Sequence, residues 1–202
     1  MIRKIFLHTA MVSLLAFGAA AVADEQIAKE CMDCHGKDGV STDDDVPTIA
    51  GYSAVYISDA LASYAEGERP ATESKYRHGD TARPATDMGK IAKELDEAKM
   101  KSVAEFFAAR KFVPAKQQFD ADKAAKGAEF HDEECSRCHD EGGSIPDDDA
   151  GILAGQWMPY LRHTFEEYAS GKRRMPEKMK PRMEKLDAAT TEALINYYGS
   201  LQ

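Results

Sequence analysis

Long apolar runs are scarce in this chain. The one present, from about Met11 to Ala21, falls short of the roughly 20 residues that a bilayer-spanning helix needs, and no second run follows it. This argues against a membrane span. Cations are also in deficit, with 26 Lys and Arg against 35 Asp and Glu and a formal net charge of −9. A polyanion such as nucleic acid is therefore a poor partner. No Gly-x-Gly-x-x-Gly run occurs, so the usual dinucleotide-binding turn is absent. Long stretches of alternating apolar and polar residues, the mark of half-buried strands, are missing as well. Cysteine is limited to four residues, Cys31, Cys34, Cys135 and Cys138, and none lies outside two closely spaced pairs.

The beginning of the chain carries information of its own. Arg3 and Lys4 precede the apolar run, which ends at Ala21-Val22-Ala23 before the polar Asp24-Glu25-Gln26. A basic start, a short apolar stretch and an Ala-x-Ala site form the pattern of a secretory signal peptide. Residues 1–23 are predicted to be removed, and residues 24–202 to be exported to the periplasm. Loss of Arg3 and Lys4 takes the net charge to −11. That charge favours solubility and attraction to a basic patch on a protein partner.

An internal repeat organises the rest. Cys31-Met32-Asp33-Cys34-His35 matches Cys135-Ser136-Arg137-Cys138-His139 at an offset of 104. The same offset carries Asp43–Asp45 onto Asp147–Asp149, Ala50-Gly51 onto Ala154-Gly155, Tyr56 onto Tyr160, Tyr64 onto Tyr168, Gly67 onto Gly171 and Arg69 onto Arg173. Later the offset falls to 91, matching Leu95-Asp96 with Leu186-Asp187 and Phe106-Phe107 with Tyr197-Tyr198. The first half therefore holds an insertion, read as a surface loop over about 72–84, because loops tolerate insertions best. The expected organisation is a first domain over 24–112, a linker over 113–125 and a second domain over 126–202. Each unit is small enough for its core to be marginal alone, and a large cofactor would supply apolar volume.

The secondary structure reads as all-α. Val55, Ile57, Ala60, Leu61 and Tyr64 fall at helical spacing within 53–65. Asp96 and Asp187 are suited to cap the last helix of each half. A helix from Lys126 or earlier should lead into Cys135, and the Gly- and Asp-rich stretches after each motif read as loops.

Cys-x-x-Cys-His is the attachment motif for c-type haem. Two thiols at this spacing add to the two vinyl groups, and the following imidazole reaches the iron. A zinc ribbon would bring its two cysteine pairs much closer, roughly 15–20 residues apart. A thioredoxin-like site requires a strand–turn–helix setting that is missing. The predicted cofactors are two covalently bound haem c groups, on Cys31, Cys34 and His35 and on Cys135, Cys138 and His139. An iron that only shuttles electrons needs a sixth ligand, commonly methionine. Met88 lies seven residues before Leu95 and Met179 seven before the matched Leu186, so the repeat selects this pair. Met175 stays an alternative to Met179, and His78 an alternative to Met88. Met100, Met158 and Met183 read as packing, His131 as a residue of the helix leading into Cys135, and His163 as exposed or packing.

The frame of two such motifs, each followed by Ile/Leu-Ala-Gly, a Tyr, Gly-x-Arg and a late Met, resembles the dihaem cytochrome c4 family. The stretches 114–120, 135–143 and 152–161, with Met88-Gly89-Lys90-Ile91-Ala92-Lys93, resemble the cytochrome subunit of flavocytochrome c sulfide dehydrogenase. The resemblance implies two tandem class I cytochrome c domains about a pseudo-twofold axis. It also implies an FAD-containing sulfide dehydrogenase subunit as electron donor and a soluble electron-acceptor protein downstream. The chain itself would then not be an enzyme. A free-standing carrier to a terminal oxidase or reductase, and a dihaem enzyme with its own catalysis, are the alternatives. The inserted loop has no counterpart in the family pattern.

Overall fold

The computed structural model describes residues 16–146 and 150–202. Residues 1–15, most of the expected leader, lie outside the described residues, as does the acidic run Asp147–Asp149. Among the described residues the structure is helical, and the one strand-like feature noted is an isolated antiparallel bridge between Ser74 and Thr86.

The first half holds α1 (Ala16–His35), α2 (Ala54–Glu66), α3 (Met88–Lys93) and α4 (Glu97–Ala108). Each of the last three begins at a residue that fits the role. The side chains of Ser53, Asp87 and Asp96 accept hydrogen bonds from backbone N–H groups of the first turns of α2, α3 and α4, satisfying donors that the helix cannot. Ile57 and Leu61 put one face of α2 into the core, each contributing about 1.5–3 kcal/mol by burial. They meet Ala28 of α1, Ala92 of α3, and Val103, Ala104 and Phe107 of α4.

The second half repeats this plan with α5 (Ala121–Phe130), the short turn α6 (Asp140–Gly143), α7 (Met158–Ala169), the short α8 (Lys180–Met183) and α9 (Ala188–Ser200). Helix α5 starts ahead of Lys126, because Asp120 caps it by accepting from the N–H groups of Asp122 and Lys123. Residues 131–135 then widen into a π turn before the second motif, where the sequence predicts a plain helix. The core joins Leu161 of α7 to Leu194, Ile195 and Tyr198 of α9. Gly127 permits close packing of α5 on α9, since a Cβ there would lie 2.1 Å from the Ala193 carbonyl oxygen.

Corresponding hydrogen bonds tie the motif loop in both halves. The Gly39 carbonyl accepts from Ile49 and Ala50 N–H, and the Gly143 carbonyl from Leu153 and Ala154 N–H. Gly51 N–H donates to Phe107 O at 2.9 Å, and Gly155 N–H to Tyr198 O at 2.8 Å. These are repeat-matched positions, so the sequence repeat is a repeat of backbone structure.

The halves join through a buried polar seam. Gln156, fully buried, donates to Thr48 O (2.6 Å) and Tyr52 Oη (2.7 Å) and accepts from Thr48 N–H (3.2 Å). Tyr52 Oη donates to Ile152 O at 3.1 Å, and Trp157 Nε1 to Ser41 O at 3.1 Å. The 114–120 stretch docks on the second half. Ala115 N–H donates to Gly155 O, and Gln117 bonds the backbone of Gln156 and Met158.

Candidate haem centres

In the first half, Cys31, Cys34 and His35 lie on the last turn of α1, so the helix fixes their relative placement. The His35 ring is buried, and its Nδ1 lies 2.9 Å from the Pro47 carbonyl. A carbonyl can only accept, so Nδ1 carries the proton and Nε2 keeps a lone pair for a metal. Burial also lowers the His35 pKa, which favours the neutral, ligating form. Burial pushes the Cys31 thiol up to about 12. Cys31 and Met88 both pack against the same first core. Met88 is the first residue of α3.

The second half brings its expected residues around one cavity of about 970 Å³, lined by Cys135, Cys138, His139 and Met179. Met183 lines it too, although the sequence assigns that residue to packing, whereas Met175 is not among its lining residues. Met179 occupies the N-cap of α8, close to the position Met88 takes at the start of α3. Met158 packs against Gly199 and Met100 against the first core. His163 pairs with Glu167 at 3.2 Å. His78 donates its backbone N–H to the Asp33 carbonyl at 2.9 Å.

The cavity crosses the seam, reaching Tyr52, Tyr56 and Arg69 of the first half and Tyr160, Tyr168 and Arg173 of the second. Arg69 stacks over Tyr64 and Arg173 over Tyr168, each with 4.5 Å to the ring centroid, as the repeat requires. Arg69 Nη2 donates to Tyr160 Oη at 3.2 Å. Its Nε, and Nη1 of Arg173, are buried donors without a hydrogen-bond acceptor. Arg173 faces Glu167 at 3.8 Å, beyond hydrogen-bond reach. Burial raises the Tyr160 pKa, but Arg69 and Arg173 beside it more than offset this and hold it below its ordinary value. Buried donors of this kind call for a hydrogen-bond acceptor, and an anionic one would suit their charge.

The residues present fit haem c. Each half offers two thiols in one helical turn or its continuation, followed by a histidine. The cavity is lined largely by apolar surface. Arg69 and Arg173 offer unsatisfied donors for the acidic side chains of the group. The sequence repeat displays both arginines with their tyrosines, but their role was not legible from it. Gln156 was invisible, because the repeat places Tyr52 at its matched position.

Comparison with known proteins supports two cytochrome c domains. Residues 20–110 match the cytochrome c family, and residues 122–197 match the family described as cytochrome c oxidase, cbb3-type, subunit III. The fold is similar to that of reduced recombinant cytochrome c4 from Pseudomonas stutzeri, with a TM-score of 0.71 and 24% identity, covering 92% of this chain and 100% of that one. It is also similar to thiosulfate dehydrogenase (TsdBA) from Marichromatium purpuratum, with a TM-score of 0.65 and 24% identity, covering 84% of this chain and 36% of that one. A curated relative, the thiosulfate dehydrogenase electron acceptor of Stutzerimonas stutzeri, is 31% identical over 84 residues, which are 42% of this chain and 34% of the relative. The match thus spans about a third of that relative's length.

Proposed function

We propose that this chain, built from two cytochrome c domains with haem c bound covalently in each, is an exported electron relay. In this reading it accepts electrons from an enzyme that oxidises a reduced sulfur compound and delivers them to a soluble acceptor protein. Cys31, Cys34, His35 and Met88 would hold the first haem, and Cys135, Cys138, His139 and Met179 the second. When bound, each haem supplies one-electron chemistry at iron. The rest falls to the chain. His35 presents Nε2 because Pro47 holds Nδ1–H. Met88 and Met179 would each supply a thioether ligand to the iron. Arg69 and Arg173 would neutralise the acidic side chains of the haem at the seam.

The observation that carries this reading is the joining of two haem frames by a buried seam at which Arg69 and Arg173 meet one cavity. Two haems so joined suit a donor that releases electrons in pairs. All four cysteines are used for attachment, so none remains to attack sulfur, and the chain is not an enzyme by itself. The leading donor is an FAD-containing sulfide dehydrogenase subunit, on the resemblance of stretches 114–120, 135–143 and 152–161. A thiosulfate dehydrogenase is the second reading, favoured by the relative named for accepting electrons from that enzyme.

The test mixes the two-haem protein with each candidate donor and its substrate and follows haem reduction optically. Reduction by sulfide only when the flavoprotein is present is the expected result. Reduction by thiosulfate with its dehydrogenase alone moves the chain to the second reading. Rapid sulfide turnover by the isolated chain overturns the relay.

A further inference from the structure

The net charge of −9 predicts attraction to a basic partner, but the surroundings of the second motif are reversed in sign. Residues 172–185 hold seven Lys and Arg against two Glu, whereas the matched stretch 68–94 holds six against five acids. Arg137, Arg174, Lys178 and Arg182 line the cavity that contains Cys138 and Met179, and all four are exposed. Some of this charge is answered locally. Glu68 pairs with Arg174, Glu177 with Lys180, and Glu134 with Arg182 and Lys185. Arg137 and Lys178 make no ion pair among the described residues. Cys138 lines the same cavity beside them.

The first half differs at the same place. The residue matched to Arg137 is Asp33, and the inserted loop is clamped onto it. The N–H groups of Arg77 and His78 both donate to the Asp33 carbonyl at 2.9 Å. Arg83 pairs with the Asp33 carboxylate and stacks over Tyr76 at 3.5 Å. Arg77 also pairs with Asp43 (3.3 Å) and Asp45 (2.8 Å). Cys34 is only half exposed behind this loop. Arg77 and Arg83 are taken up by acids of their own domain, and the loop lies over the Asp33 that separates the two cysteines.

We propose that the second domain is the docking port. Its rim of Arg137, Arg174, Lys178 and Arg182 receives a redox protein whose own centre is ringed by Asp and Glu, while loop 72–84 closes the corresponding face of the first domain. This deepens the relay reading and rests on it. Exposed charges around an electron-transfer edge act chiefly on encounter rate and on salt dependence, and their reach is about 10 Å at 0.1 M salt.

The test titrates the two-haem protein with poly-L-glutamate and maps backbone amide shifts by NMR at several salt concentrations. Perturbation confined to Arg137 and residues 172–185 is expected. Arg137→Glu with Lys178→Glu should weaken binding about tenfold or more, and Lys75→Glu on the inserted loop should leave it unchanged. Both variants change exposed residues and should retain two haems. A footprint on loop 72–84, an equal loss in Lys75→Glu, or unchanged binding in the double variant overturns the port. The probe has no redox centre, so failure of the sulfide and thiosulfate assays leaves this result standing.

Discussion

The two halves of the chain share a backbone frame and differ in what surrounds it. Gly39 and Gly143 accept the same pair of hydrogen bonds, and Gly51 and Gly155 donate to matched residues of the last helix. The approach to the motif diverges. Helix α1 runs through Cys31–His35 as regular α-helix, with Gly36 N–H donating to Met32 O four residues back. In the second half Ser136 N–H donates to His131 O five residues back, and the π turn sits where buried His131 replaces the matched Ile27. His131 Nδ1 lies 3.0 Å from Tyr198 Oη. At the outer face Asp33 is held under the inserted loop, whereas Arg137 is exposed. The contrast separates two constraints. Positions that hold the motif loop keep the same backbone hydrogen bonds in both halves, while positions at the outer face and in the core pocket behind the motif differ.

The largest effect expected on this comparison is loss of one half's cofactor. Replacing Cys135 and Cys138 by Ala should leave one haem per chain after extraction in acid acetone, held by Cys31 and Cys34. Two retained haems would refute attachment through the second motif. Next comes the sixth ligand. Met179→His should change the optical spectrum and lower the potential of the second haem only, because imidazole stabilises oxidised iron more than a thioether does. Met88→His should do the same for the first. Potentiometric titration resolves the two. A shift from Met175→His or Met183→His instead of Met179→His reassigns the ligand within the second half.

Smaller effects probe the seam and the private pocket. Gln156→Ala strands Thr48 N–H and O in a buried site and leaves the Tyr52 hydroxyl only its bond to the Ile152 carbonyl, which costs on the order of 1–3 kcal/mol for each group left unsatisfied. Urea unfolding of the two-haem protein should show earlier unfolding and a separation of the two domains' transitions. An unchanged single transition would show that other contacts hold the halves together. The smallest effect concerns His131. Burial lowers its pKa in the folded state, so the unfolded chain binds the proton more readily. Its contribution is full above the unfolded His value and is lost as pH falls below it, with a slope of at most about 1.4 kcal/mol per pH unit. His131→Ile, which installs the residue of the first half, should flatten that slope in the second domain. Stability curves taken on either side of pH 6.5 decide this.

Much of the architecture was legible in the residues. Apolar positions at helical spacing placed α2, and Asp96 and Asp187 capped the helices expected of them, since capping is a local hydrogen bond between neighbours in sequence. The repeat places an insertion over about 72–84, and the structure has an isolated antiparallel bridge between Ser74 and Thr86 at that stretch. The π turn was not legible. It begins at His131, which bonds Tyr198 of another helix, and nothing at residues 131–135 alone distinguishes it from a regular turn.

The sequence by itself determined the chemistry: two Cys-x-x-Cys-His motifs in a repeated frame, an all-α plan, and late methionines in a common register. These follow from short-range spacing, where residues a few positions apart must sit a fixed distance apart. The tertiary structure decided the rest. It brought Arg69 and Arg173 to one seam with buried donors unsatisfied, made Gln156 the bond between the halves, and folded loop 72–84 onto Asp33. Each of these joins residues far apart in the chain. Whether a charge is buried, paired or turned to solvent depends on which distant segment covers it, and spacing along the sequence carries no record of that.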